Sequence, residues 1–198
     1  MRRAVRTAAS VVQRGVDSSG SRWYPVMLTL TYRPGVDYRP RHVSELLKRV
    51  REWMDRRGVR FRYVWVAELQ RRGAVHWHVL LWLPVRFQIP KPDRRGWWPH
   101  GSTRVERARH AAGYIAKYAS KMDEDQQFPR GLRLHGRGGL EGPQRCEVRW
   151  WVLPRYVREE FGEWQLGGVP VRARGGWWVN ADAVWRPPWS DTPAAASA

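Results

Sequence analysis

"GAVHWHVLLWLP" (residues 73–84) has the alternation of a strand, so residues two apart point to the same side. Trp77 and Val79 face one way, while His76 and His78 project together from the other. A buried sheet face has little use for two neighbouring imidazoles. Either the pair sits at the solvated end of a packed strand, or it holds something.

The stretch before it constrains the choice. "FRYVWVAEL" (61–69) reads as a second strand, and the intervening "QRRG" suits a tight antiparallel hairpin. With Gln70 opposite Ala74 around a three-residue loop (71–73), Glu68 lies directly across from His76 on the same face. A two-residue loop would shift the register by one and turn Glu68 to the wrong side. In the first register Glu68, His76 and His78 form one oxygen and two nitrogens, a suitable set for a divalent metal. Taken alone, His-x-His in a strand is equally a pair of hydrogen-bonded structural histidines.

Around this hairpin, "VMLTLTY" (26–32) reads as a strand and "RPGVDYRP" (33–40) as a turn-rich loop. In the helix expected over 44–57, Leu46, Leu47, Val50, Trp53 and Met54 recur at helical spacing, and Gly58 stops it. Residues 84–102 form a loop rich in Pro, Arg and Trp, after which Ser102 or Thr103 caps a helix predicted over 104–121. Further on, the patterning predicts a short strand within 131–140, a strand over 145–153, a helix over 154–161 opened by Pro154, and a last strand over 175–179. The expected fold is α+β: one antiparallel β-sheet with helices packed on it. The organisation is a basic N-terminal arm (1–22), one domain (23–182) and a disordered tail (183–198).

Among 198 residues, 36 are basic and 18 acidic, giving a formal net charge of +18. Only Lys48, Lys91, Lys117 and Lys121 are lysine; the other basic residues are arginine. Arginine suits bidentate phosphate contacts and stacking on bases, so the partner expected is a polyanion, above all nucleic acid. A GC-rich coding sequence would explain the Arg:Lys ratio but not the shortage of acids. The single cysteine, Cys146, excludes a disulfide framework and a thiolate zinc cluster, and no run reaches the length of a membrane span. The Arg- and Ser-rich start superficially resembles a transit peptide; the preferred reading is an arm that lies on nucleic acid, in a reducing cytoplasm. Arg71 and Arg72 in the hairpin loop, and Arg94, Arg95, Trp97 and Trp98 in the long loop, are candidates for phosphate contact and base stacking.

In "YIAKYASK", Tyr114, Lys117, Tyr118 and Lys121 occupy i, i+3, i+4 and i+7 and share one helix face. One reading is an amphipathic edge with packed rings and snorkelling lysine stems. The other is a pair of phenol nucleophiles supported by ammonium groups, because a phenol of pKa about 10 needs a cation nearby to attack at neutral pH. His76-Trp77-His78 followed by this stripe resembles the HUH endonucleases, and "YIAKYASK" resembles the two-tyrosine motif of rolling-circle replication initiators from small single-stranded DNA bacteriophages. "VMLTLTY" is similar to the first motif of those proteins, and "LRLHGRGG" to a stretch in filamentous-phage members, so the resemblance covers about residues 26–140.

The resemblance implies an HUH fold, related to RRM and ferredoxin-like sheets. It implies that His76, His78 and Glu68 ligate Mg²⁺ or Mn²⁺. Tyr114 would attack the scissile phosphate, giving a 5′-phosphotyrosine and a free 3′-OH, and Tyr118 would make the second attack. Lys117 would neutralise the phosphate, with Lys121 assisting. The implied partners are single-stranded or supercoiled origin DNA and the helicase and polymerase of a bacterial host, in whose cytoplasm the protein would work; no Walker A loop is present. A transposase or relaxase of the same superfamily, a metal-dependent hydrolase using water, and a non-catalytic single-stranded nucleic-acid-binding module remain open.

Overall fold

The computed structural model describes residues 1–70, 73–120, 128–162, 170–173, 176–179 and 183–185. They fall into two compact units, Met1–Gln144 and Arg145–Ala198. In the first, a five-stranded sheet has the order β4-β1-β3-β2-β5. Its strands are β1 (Trp23–Tyr32), β2 (Tyr63–Leu69), β3 (Val75–Pro84), β4 (Gly101–Arg107) and β5 (His135–Gly138), every neighbouring pair antiparallel. The fold is α+β, as the patterning predicts.

β3 lies at the centre because it is apolar on both faces and therefore needs a layer on each. One layer is α2 (Arg41–Asp55), whose Val43, Leu46, Val50 and Met54 pack with Leu28, Leu30, Trp77, Val79 and Leu81. On the opposite side lie α1 (Arg2–Asp17) and α3 (Ala111–Ala119). There α1 anchors Trp82, whose Nε1 donates to Gln13 Oε1 at 2.8 Å. The hairpin has the three-residue loop: Gln70 N donates to Ala74 O at 2.9 Å, and Glu68 pairs with His76. At the β5 edge, Gly136 and Gly138 leave room for the rings of Trp65 and Tyr63, which lie where a Cβ would project.

Three expectations are corrected. Residues 2–17, expected within a basic arm, form α1, because Val5, Ala8, Ala9, Val12 and Val16 recur at helical spacing and are buried while the arginines face out. The single helix expected over 104–121 is instead β4 followed by α3. Period-two alternation puts Thr103 inward between Ser102 and Arg104, and pairing with β1 outweighs the helix propensity of the Ala, Arg and Glu residues. Finally, 145–153 is not a strand. It lies in α4 (Gly142–Val152), which Pro143 opens from the first turn, where a missing N–H costs nothing.

In the second unit, α5 (Arg155–Phe161) follows Pro154 as expected, and Trp150, Leu153 and Val157 form a small cluster. A second sheet has the order β6-β7-β8, from β6 (Val171–Ala173), β7 (Gly176–Val179) and β8 (Ala183–Trp185), so residues 183–185 of the expected tail are a strand. The rest of that tail, 186–198, lies outside the described residues.

Candidate active site

Alternation along β3 turns His76 and His78 to the side that carries α1 and α3, and both are buried, at 8% and 3% exposure. His78 is held from two strands. Its Nδ1 faces Thr29 Oγ1 of β1 at 3.3 Å, and its Nε2 faces Glu68 Oε2 of β2 at 2.6 Å. Glu68 is thus directly opposite His76 in register but reaches diagonally to His78. When Nε2 donates to an ionised Glu68, Nδ1 accepts from the Thr29 hydroxyl; a hydroxyl serves equally in the reverse tautomer.

α3 approaches closely because its inward residues are small: Ala111, Ala116 and Ala119 are buried around Ile115. This lays the Tyr118 ring on the His78 ring, with centroids 3.5 Å apart and planes 17° from parallel. One turn earlier, Tyr114 meets Tyr118 edge to face at 5.7 Å. The Tyr118 phenol is pushed well above its ordinary pKa by burial first, then by a hydrogen bond with Tyr114 and the charges of Glu106 and Glu68. It is therefore held as a neutral phenol. Lys117 is exposed on the same helix, and Lys121 lies outside the described residues, as do Arg71 and Arg72.

The donor set suits a hard divalent cation in its chemistry: one carboxylate oxygen and two imidazole nitrogens, with His76 Nε2 shielded from solvent. Its arrangement is not that of a closed cage. Among the described residues no three His, Cys, Asp or Glu side chains converge for a metal ion, and the two imidazole centroids are 6.4 Å apart. Seating an ion requires Glu68 Oε2 and His78 Nε2 to give up their mutual contact for it.

Two rows of side chains cross the sheet on this side: Ser102, Thr31, His76 and Glu68 in one, Arg104, Thr29 and His78 in the other. Ser102 and Arg104 were not legible as site residues, because a helix was expected there. Arg104 is exposed and pairs with Glu106 at 2.8 Å. A cleft of about 490 Å³ opens at the His76 end of the sheet, between Arg33, Tyr38, Gly73 and Val75.

The tryptophan loop goes elsewhere. Trp98, expected to stack on bases, is a core residue on the α2 side, at 1% exposure, with its Nε1 donating to Thr31 O at 3.2 Å. Its edge contacts with Tyr32, His42 and His100 fill the space between the loop and α2. Trp97 is half-buried against Trp53, and Arg94 and Arg95 are exposed in that loop, none of them beside the histidines.

No curated protein and no solved structure matches the chain. A family profile does: that of the replication-associated proteins of the ORF2 type matches residues 25–123, which run from β1 to just beyond α3 and include Thr29, Glu68, both histidines and both tyrosines. With half of its length matched, and with the strands and helix that build the site inside the match, the chain belongs to this ORF2-type family of replication-associated proteins.

Proposed function

We propose that the protein starts replication by nicking single-stranded origin DNA through a tyrosine and later rejoining the strand. The observation that carries this reading is the face-to-face contact of Tyr118 with His78, whose other edge meets Glu68. A mere binding module has no need for a phenol stacked on a buried histidine. Membership of a replication-associated family supports DNA as the substrate.

The step is a transesterification. The phenolic oxygen of one tyrosine bonds to phosphorus as the P–O3′ bond breaks; the phenol's proton passes to solvent, and the departing 3′-oxygen takes one up. The products are a 5′-phosphotyrosine and a 3′-OH that primes a host polymerase. Attack by the second tyrosine on the restored junction, followed by reversal, closes a circle without a nucleotide cofactor. Tyr114 and Tyr118, one turn apart, share a single site for both attacks.

His76 and His78, with Glu68, would hold Mg²⁺ or Mn²⁺; the ion would neutralise the scissile phosphate and favour the phenolate. Thr29 orients His78, and the exposed Lys117 and Arg104 meet backbone phosphates. Unpaired DNA enters by the cleft at the His76 end, with Arg33 and Tyr38 on its wall. Strand separation comes from supercoiling or a host helicase.

The test uses the supercoiled parent replicon. With Mn²⁺ or Mg²⁺ the protein is expected to convert it to a nicked circle, and EDTA or the double substitution His76→Ala, His78→Ala should abolish this. Binding to single strands without metal-dependent nicking would leave only the binding-module reading.

A further inference from the structure

At the opposite end of the sheet from His76, a second cleft of about 530 Å³ gathers four arginines: Arg22, Arg60, Arg62 and Arg86. Three connections meet there: the entry to β1, the turn after β3 and the segment between α2 and β2. Arg62 is the informative one. Its side chain is only 12% exposed, and its buried Nε has no hydrogen-bond partner among the described residues. The guanidinium lies over the Trp23 ring, 5.3 Å from its centroid. Desolvation and the neighbouring Arg60 both press against its charge, and Glu141 opposes them.

Glu141 does not account for the cluster. Its Oε1 serves two guanidinium groups, Arg60 at 2.7 Å and Arg62 at 3.6 Å. Among the described residues no acid pairs with Arg22 or Arg86, both exposed at the rim. Four positive charges against one shared carboxylate, with a buried N–H directed at nothing, is an arrangement completed by an anion. A fork of donors suits the two free oxygens of a phosphodiester.

We propose that this cleft anchors a phosphodiester of the single DNA strand that passes the histidine end of the sheet. The inference rests on the DNA reading above and extends it to a second contact point. From His76 to Pro84 is eight residues of β3, about 27 Å at the rise of a strand. At about 3.4 Å per phosphate for a stacked strand, that is about eight nucleotides, fewer if the strand is stretched. The anchor therefore holds the substrate well outside the reacting phosphate. The concave shape and the Trp23 ring on its wall suit one phosphate and its base better than the continuous groove of a duplex.

Equilibrium binding decides it, measured in EDTA with the full chain carrying Tyr114→Phe and Tyr118→Phe so that no cutting occurs. The probes are a mixed-sequence single strand of about 20 nucleotides and a duplex of the same length, each titrated over a range of salt. The exposed rim pair Arg22→Gln, Arg86→Gln is compared with Arg49→Gln, Arg51→Gln on α2, which removes the same charge. The rim pair should lower the salt slope on the single strand by about 1.4, at about 0.7 per lost phosphate contact, and the α2 pair should leave the slope unchanged. Equal effects of the two pairs would overturn the anchor, as would a loss confined to the duplex or no binding to either probe. A protein that nicks normally with an unchanged slope loses only this inference; one that shows the slope change but never nicks loses only the nuclease.

Discussion

Tyr118 presents the central problem of the site at the scale of one residue. Burial, a hydrogen bond to Tyr114 and two nearby carboxylates all oppose ionisation of the phenol that the chemistry requires. A cation brought to Glu68 and the histidines would neutralise one of those carboxylates and add its own attraction, so the same side chains that suppress the phenolate by themselves would favour it once they hold the ion. Tyr32 is suppressed for a different reason. Burial among apolar neighbours raises it to about 12, partly offset by the hydrogen bond from Trp77 Nε1. A phenol raised in the fold keeps its proton there longer than in the unfolded chain. Its contribution to stability is complete below about pH 10 and is lost as the pH rises towards 12. Tyr32→Phe should therefore flatten the fall of the thermal midpoint above about pH 10, and tyrosinate absorbance should show fewer phenols titrating late. An unchanged alkaline slope would mean that Tyr32 is not held as described.

At the scale of the element, the hairpin and its neighbours divide by what kind of information they needed. The period-two pattern of residues 75–84 and the polar loop before it were enough to place Glu68 opposite His76, because a buried face specifies register. The diagonal reach of Glu68 to His78 was not legible, since it depends on rotamers that packing selects. β4 was misread because an edge strand with only Thr103 buried carries too weak an alternation to compete with local helix propensity. Trp98 was misassigned because composition cannot distinguish a loop aromatic that stacks on bases from one that plugs a core.

That loop is closed by an element-scale contact. His100 stacks on His42 of α2 with centroids 3.6 Å apart and planes 16° from parallel, while His42 Nδ1 lies 3.1 Å from the Tyr32 hydroxyl. Burial lowers both imidazoles; Arg33 and Arg39 add to this for His100 and Arg39 for His42, while Glu45 opposes. Since the unfolded chain binds these protons more readily, the contribution is present above about pH 6.5 and is lost as the pH falls. The thermal midpoint should drop between about pH 7 and 5, and His100→Gln should reduce that drop. An equal drop in the variant would place the acid-sensitive group elsewhere.

For the whole molecule, the net charge of +18 and the α+β layering answer separate questions. Charge indicates the partner, and the layering decides what that partner can reach. α1 shows the difference. Its exposed arginines suggested an arm on nucleic acid, yet its buried valines and alanines make it a packing layer on the side of the sheet that holds the site. Deleting residues 1–17 should expose Trp82 and its neighbours and leave the protein insoluble or without a cooperative melt. A folded, fully active deletion would restore the arm. No helix among the described residues is long and apolar enough to cross a membrane.

The most direct measurement is a search for a covalent protein–DNA adduct on denaturing gels. Single-stranded oligonucleotides tiled across the parent replicon would be incubated with Mn²⁺ or Mg²⁺, with and without EDTA. Wild type, Tyr114→Phe, Tyr118→Phe and the double variant would run side by side. The account predicts a metal-dependent adduct at one origin sequence, weakened in the single variants and absent from the double variant. Cleavage that persists in the double variant, or metal-dependent cleavage with no adduct, would contradict it and make water the nucleophile.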